Sequence, residues 1–469
     1  MTKSAALSTK SIIILAVLGL FITLFIGAFV ALFGTAVGDN YGILLALPAT
    51  LIIGFLFFFD RYLLFFLILL FRSGIDQLLD ATRLGSFGLG AVLNALVIII
   101  AFIAIFERPN PVRKVIKQTW LPFLSIAFFT LLITPEPLNA VKSFLSLLSY
   151  ASIFTLAITL IKSEEDYGRW MRAVFLSSLI PVAYSFVNML NGGFSSQESE
   201  GFRINSTFSH PNIFAFYLVL MISLGFYFYK AKVSYFSVFV RKSLPIYILI
   251  MLGLLVLTKT RSAWGACFAF FTIYALIYER KYLIYILMAP IVGFMIPEIR
   301  DRFMDLVQGN EVVNYSKLNS YAWRKLMWES GLNFMDKFHY FFGYGLEAFR
   351  HYSVDFFAMS EGFQINAHSV YVQLIFETGG FGLAAFIWLH FRVGQLLMPF
   401  YKQNKLMIFS AIMFLLEFAL DAYSDNMLAY LSFNWYLWFV LGAAYAVNYA
   451  KLQQEEENKT VTTKVAKVS

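Results

Sequence analysis

Apolar runs long enough to cross a bilayer recur along almost the whole chain, and this recurrence restricts the fold more than any single residue does. A hydrocarbon slab about 30 Å thick takes roughly 20 apolar residues of helix. With 59% hydrophobic and 14% charged residues and a mean hydropathy of +0.71, a 469-residue chain holds more apolar side chain than a water-soluble core could bury. The chain reads as an all-α polytopic membrane protein. The first run, residues 12–33, is too long for a secretory h-region and is read as a retained span.

Spans are expected to start near residues 11, 43, 62, 89, 119, 138, 171, 212, 244, 263, 282, 369, 406 and 427, about 14 in all. The third, beginning RYLLFFLILLFRSGIDQLLD, carries Arg72 within its length. An N-terminus in the cytoplasm puts ERPNPVRKVIK, KSEEDYGRWMR, YKAKVSYFSVFVRK, YERK and RVGQLLMPFYKQNK on one side. With Arg61, these hold 17 Lys or Arg, against five in the short loops opposite. Basic loops stay on the cytoplasmic side, so both termini are expected there. Residues 1–296 then hold spans one to eleven, 297–367 form one large periplasmic loop subdomain, 368–450 hold the last three spans, and 451–469 form a disordered cytoplasmic tail.

The same distribution accounts for the net charge of +8 through topology better than a polyanion partner does, so membrane lipids and no nucleic acid are expected as neighbours. Cys267 has no intrachain partner and reads as core filler. HExxH, CxxC, P-loop and GxSxG signatures are absent from the sequence, so no metal and no cofactor is expected. Any chemistry would have to run on His and Arg.

Three stretches concentrate those residues. In NAHSVYVQLIFETGGFG, His368 and Ser369 stand at the mouth of an apolar helix. At 100° per residue Gly379 and Gly382 lie about 20° and about 40° from the His368 direction, roughly 16 to 21 Å deeper, where glycine would let a neighbouring helix approach. A plain interfacial histidine above a packing seam fits the spacing as well. In RINSTFSHPNIFAFYLVL, Pro211 suits a first helical turn capped by Ser209 or His210, and the helix start near Arg203 is either an anion site or a capped helix with Arg203 on lipid phosphate. In LTKTRSAWGACF, Arg261 opens a span. Arg72, Arg203, Arg261 and Arg324 are expected at similar depth on one face, with Glu417, Asp421 and Asp425 as counter-ions at i, i+4, i+8 or as cation ligands. The segment SYAWRKLMWESGLNFMDKF of the large loop has apolar residues at helical spacing.

Together these segments resemble the bacterial O-antigen ligase and polymerase superfamily. HSVYVQLIFETGGFG is similar to that family's His, polar residue, nine residues, Gly, two residues, Gly signature. RINSTFSHPNIFAFYL, TKTRSAWG, and WRKLMWESGLNF followed by GYGLEAF resemble its other elements, in the right order from about Arg203 to Leu383. Ser369 departs from the commoner Asn, and Lys259-Thr260 from the Ser often found before the arginine.

The resemblance implies a C-like, metal-independent, inverting glycosyltransferase of lipopolysaccharide or exopolysaccharide biosynthesis in the bacterial inner membrane, acting at the periplasmic face. Its donor would be a glycan on undecaprenyl diphosphate. The acceptor would be a lipid-linked repeat for a polymerase or a lipid A core for a ligase, with polymerase favoured by length and span number. Arg261, Arg203, Arg72 and Arg324 would bind the donor diphosphate, and His368 would deprotonate or orient the acceptor hydroxyl. Ser369, Gly379, Gly382, His210 and Asn212 would support them. The rival reading is a transporter or flippase of lipid-linked glycan.

Overall fold

The structure is a computed structural model that describes residues 41–81, 88–107, 112–192, 202–304 and 318–468; the span expected near residue 11 lies outside them. Among the described residues the chain is helical with short 3-10 turns. Among the described residues eight helices are long and apolar enough to cross a membrane, or nine if Val112–Gln118 and Trp120–Leu132, bent by 56°, count as one span. The expected starts near 43 and 62 fall within one helix, α1 (Tyr41–Phe71), interrupted at Asp60 (φ −155°, ψ 92°). Those near 263 and 282 are the 17-residue α10 (Arg261–Ile277) and the 13-residue α11 (Leu283–Met295), short of the roughly 20 residues a crossing takes.

Between them run α2 (Leu89–Glu107), α3 (Val112–Gln118), α4 (Trp120–Phe129), α5 (Pro137–Leu160), α6 (Glu164–Leu176), α7 (Leu179–Leu190), α8 (Pro211–Ala231) and α9 (Val238–Leu257). The centre of the bundle is α8: 89% of its apolar window is buried by protein, against 17% for the window in α1. A helix that is apolar on every side belongs inside. Beside it stands α18 (Leu431–Val468), where Trp438 packs edge-on against Trp120 at 4.5 Å. A Cβ at Gly442 would lie 2.8 Å from Ala157 Cβ and Phe154 O of α5, so glycine sets this helix approach.

The helix α18 also corrects the expected disordered tail, because residues 451–468 continue it. Extending a packed helix carries no nucleation penalty, and Lys, Gln and Glu are good helix formers.

Polar contacts gather at the two ends of the bundle. At one end Arg61 pairs with Glu107, Lys451 with Glu164, and Lys230 with Glu279 at 2.5 Å, while Arg392 Nη2 donates to Gln118 Oε1 at 2.7 Å. These residues lie in or beside the basic loops grouped by sequence. At the other end sits the subdomain built from α12 (Pro297–Met304), α13 (Ser320–Phe334), α14 (His339–Phe342) and α15 (Ala348–Phe356), with residues 305–317 outside the description. As the spacing of its apolar residues predicts, α13 buries Met327, Trp328 and Gly331. Met327 and Trp328 join Phe349, Phe357 and Phe376 in a core separate from that of the bundle. The chain returns through α16 (Val370–Leu397) and α17 (Lys405–Ser424).

The expected glycine seam is corrected. Gly379 breaks α16 with φ 68° and ψ −174°, a conformation that suits only glycine, and its Cα lies against the backbone of Phe341 and Phe342 of the outer subdomain. The break frees carbonyls that the same subdomain satisfies: Tyr344 N–H donates to Phe376 O and Gly345 N–H to Glu377 O, both at 2.9 Å. Gly382 makes room for Thr378 of its own helix. Residues 380–397 alone make a helix about 27 Å long at ~1.5 Å per residue, long enough for a crossing that begins at the Gly379 break.

Candidate active site

The turn between α9 and α10 is the base of the site. Thr258 ends α9, Lys259 turns in the left-handed region at φ 53°, Thr260 is the N-cap residue, and Arg261 begins α10. Arg203 lies across this turn. Its Nε donates to Thr258 O at 2.8 Å, and its Nη2 donates to Asn212 Oδ1 at 2.8 Å and Thr260 Oγ1 at 3.3 Å. A guanidinium on the last carbonyls of a helix meets both their hydrogen-bonding need and the negative end of the dipole.

The sequence allows Ser209 or His210 to cap α8, and the structure selects His210: its Nδ1 accepts from Asn212 N–H at 3.1 Å, with Pro211 in the first turn. Asn212 then connects four elements. It accepts from Arg203 and from Thr260 Oγ1 (3.1 Å), and its Nδ2 donates to Asp425 Oδ2 at 2.6 Å. Asp425 follows α17, where it also accepts from Asn426 N–H at 2.8 Å and from the Tyr430 hydroxyl. Arg324 of α13 repeats the device of Arg203, its Nη1 donating to Ser424 O at 2.7 Å at the end of α17.

His368 stands above this network. Trp328 Nε1 donates to the carbonyl of Ala367 at 2.6 Å, Ser369 caps α16 by accepting from Val372 N–H at 3.5 Å, and the histidine between them is held at φ 48°. A non-glycine residue in that region stores about 1–2 kcal/mol of strain. The half-buried imidazole leans on Trp323 at 6.4 Å and makes no hydrogen bond to the described residues. Burial first, then the Arg324 guanidinium, push it down to about 4, while Asp425 acts in the opposite direction. It is neutral at pH 7, with a ring nitrogen able to take a proton.

The structure thus brings His368, Arg324, His210, Asn212, Arg203 and Asp425 together. Arg261 adjoins them through Thr260 but reaches into the outer subdomain, donating to Arg302 O at 2.9 Å and Ser320 Oγ at 2.6 Å. Arg72 stands apart. It lies in a 3-10 turn after α1, paired with Asp76 at 2.6 Å and packed on Trp435 at 5.6 Å. The carboxylate face is corrected too. Glu417 accepts from Ser223 Oγ at 3.1 Å, and Asp421 Oδ1 has no hydrogen-bond partner among the described residues. They lie about 12 and about 6 Å further along α17 than Asp425, away from the arginines. Sequence reading missed Thr260 as a ligand of Arg203, although the Thr before Arg261 carried the signal; it named Asp425 only as a counter-ion or cation ligand, not as the partner of Asn212 and Tyr430. Among the described residues no group of three or more His, Cys, Asp or Glu could hold a metal ion.

The O-antigen ligase family model matches residues 246–387. The match runs from α9 through the outer subdomain into α16, so Arg261, Arg324, His368, Gly379 and Gly382 fall within it and Arg72, Arg203, His210 and Asn212 precede it. No curated protein matches the chain. Over residues 246–387 the chain is similar to the O-antigen ligase family, whose members are glycosyltransferase-like enzymes, and this supports the resemblance read from the sequence.

Proposed function

We propose that this protein works as an O-antigen ligase or polymerase of the matched family, transferring a glycan from undecaprenyl diphosphate to an acceptor hydroxyl, with inversion and without a metal. It works at the periplasmic face of the bacterial inner membrane, with the basic end of the bundle in the cytoplasm. The observation that carries this reading is the neutral, unbonded imidazole of His368, held in a strained turn among arginines. The acceptor oxygen bonds to the anomeric carbon from the face opposite the diphosphate. The old carbon–oxygen bond breaks with its electron pair on the diphosphate, and the hydroxyl proton passes to His368.

Arg324, Arg261 and Arg203 supply a fixed positive field where negative charge develops on the leaving group. An arriving diphosphate would offset the guanidinium that depresses His368, raising its basicity when a base is needed. Polymerisation, with a second lipid-linked repeat as acceptor, is favoured over ligation to a lipid A core.

The test is purified protein with defined lipid-linked donor and acceptor, with and without chelator. Transfer that survives chelator and is lost in His368→Ala supports the reading. Loss of transfer in chelator overturns the metal-free part, and undiminished transfer by His368→Ala removes the histidine. The buried Glu417 and Asp421 are what a flippase would need. If the pure protein formed no glycosidic bond yet moved lipid-linked glycan across liposomes, that reading would replace this one.

A further inference from the structure

On the other side of the residues that cap α8 lies a cavity of about 460 Å³, within the roughly 300–1,000 Å³ of ligand pockets. Ser209 and Ile213 line it, while His210 and Asn212, which lie between them in the chain, belong to the His368 network. The cavity is therefore back to back with the candidate active site.

Its inner end is polar. Arg72 is buried, and among the described residues its one hydrogen bond, to Asp76, uses one of five N–H donors. The amide oxygen of Asn94 lines the same space without a partner among the described residues, and Lys142 adds a cation at the rim. Its outer side is apolar: Leu138, Val141 and Leu145 follow one face of α5 and are exposed on the outside of the bundle, where lipid chains would lie. Buried guanidinium donors at one end and an apolar stripe open to the membrane at the other match an amphiphile with a phosphate head.

We propose that this cavity binds the phosphate head of a membrane amphiphile, with its hydrocarbon chain leaving along Leu138, Val141 and Leu145. Taking the transfer reaction above as premise, the occupant is the isoprenoid phosphate of the second lipid-linked substrate, the acceptor.

The full-length protein in nanodiscs of neutral lipid is titrated with farnesyl diphosphate, phosphatidylglycerol and inorganic diphosphate, with bound species read by native mass spectrometry. Ala91→Trp fills the exposed side of the cavity and Lys142→Glu reverses the rim charge; both sites are exposed, so folding is not at stake. Farnesyl diphosphate should saturate the wild type, weaken by on the order of tenfold or more in both variants, and bind normally to His368→Ala. Equal displacement by phosphatidylglycerol would keep the phosphate-amphiphile site but assign it to bulk lipid, ending the acceptor role. Unchanged binding in both variants, or equally tight binding of inorganic diphosphate, would overturn the site. In the transfer assay Ala91→Trp should raise KM for the acceptor and leave that of the donor; an unchanged acceptor KM sinks the acceptor role. A wild type that binds farnesyl diphosphate yet never transfers would defeat the proposed function and leave the cavity standing.

Discussion

Arg203 and Arg72 are both buried guanidiniums at the same end of the bundle, on opposite flanks of the start of α8, and they are engaged very differently. Arg203 bonds a helix-terminal carbonyl, a threonine and an asparagine, whereas Arg72 has, among the described residues, one carboxylate and a tryptophan face. A guanidinium whose donors are taken up by protein organises its surroundings and acts on a ligand through its field. One with donors left over, facing a cavity, is arranged for a ligand. On this contrast the His368 flank is where chemistry occurs and the Arg72 flank where a substrate is held.

The strongest test of the contrast is His368→Ala, which should lower transfer by on the order of 10²–10⁴-fold, the scale of a general base, with binding in the Arg72 cavity intact. If both were lost together, the two flanks would be one site. Arg203→Ala should act first on the fold, leaving the Thr258 carbonyl and Asn212 short of partners at about 1–3 kcal/mol each; a fall in detergent melting temperature is expected. An unchanged melting temperature with lost transfer would mean that Arg203 belongs with the substrate-binding arginines.

Arg324→Gln sharpens the chemistry flank through pH. The histidine is active when neutral, so kcat/KM should fall as pH drops through its pKa of about 4. Removing the neighbouring cation makes protonation easier and should move that acid limb to higher pH. A limb that stays in place would show that Arg324 exerts no field on His368. The smallest effect is expected on the other flank. Asn94→Leu removes an amide oxygen that has no partner, so stability should hold or rise by up to about 1 kcal/mol while amphiphile binding weakens. A clear loss of stability would make Asn94 structural.

Much of the site was legible in the sequence because it is local. Ser369 and Pro211 announce helix starts by their own backbone chemistry, and the apolar spacing of SYAWRKLMWESGLNF is the periodicity of one helix. The basic loops gather at one end of the bundle because topology, which charge reports, put them there. What could not be read depends on packing between elements. The wheel through His368 and Gly379 assumes an unbroken helix, and no count of residues reveals that a distant loop lies against Gly379. Glu417, Asp421 and Asp425 have the spacing of one helix face, but only the structure shows that Asp425 lies past the helix end and that it reaches Asn212. Arg72 and Arg203 share a depth, and the start of α8 that separates them is visible only in three dimensions.

The break at Gly379 also bears on how such proteins can be recombined. Two carbonyls of α16 are completed by N–H groups from Tyr344 and Gly345, and a Cβ at Gly343 would collide with the backbone at Glu377 and Thr378. The outer segment and the top of α16 are therefore a single inheritable block. A chimera that grafts the outer segment of a relative onto this bundle should assemble only if Gly343, Gly345 and Gly379 come from the same parent. A graft that cuts between them would leave two carbonyls bare at the edge of the membrane, where no water is at hand to satisfy them.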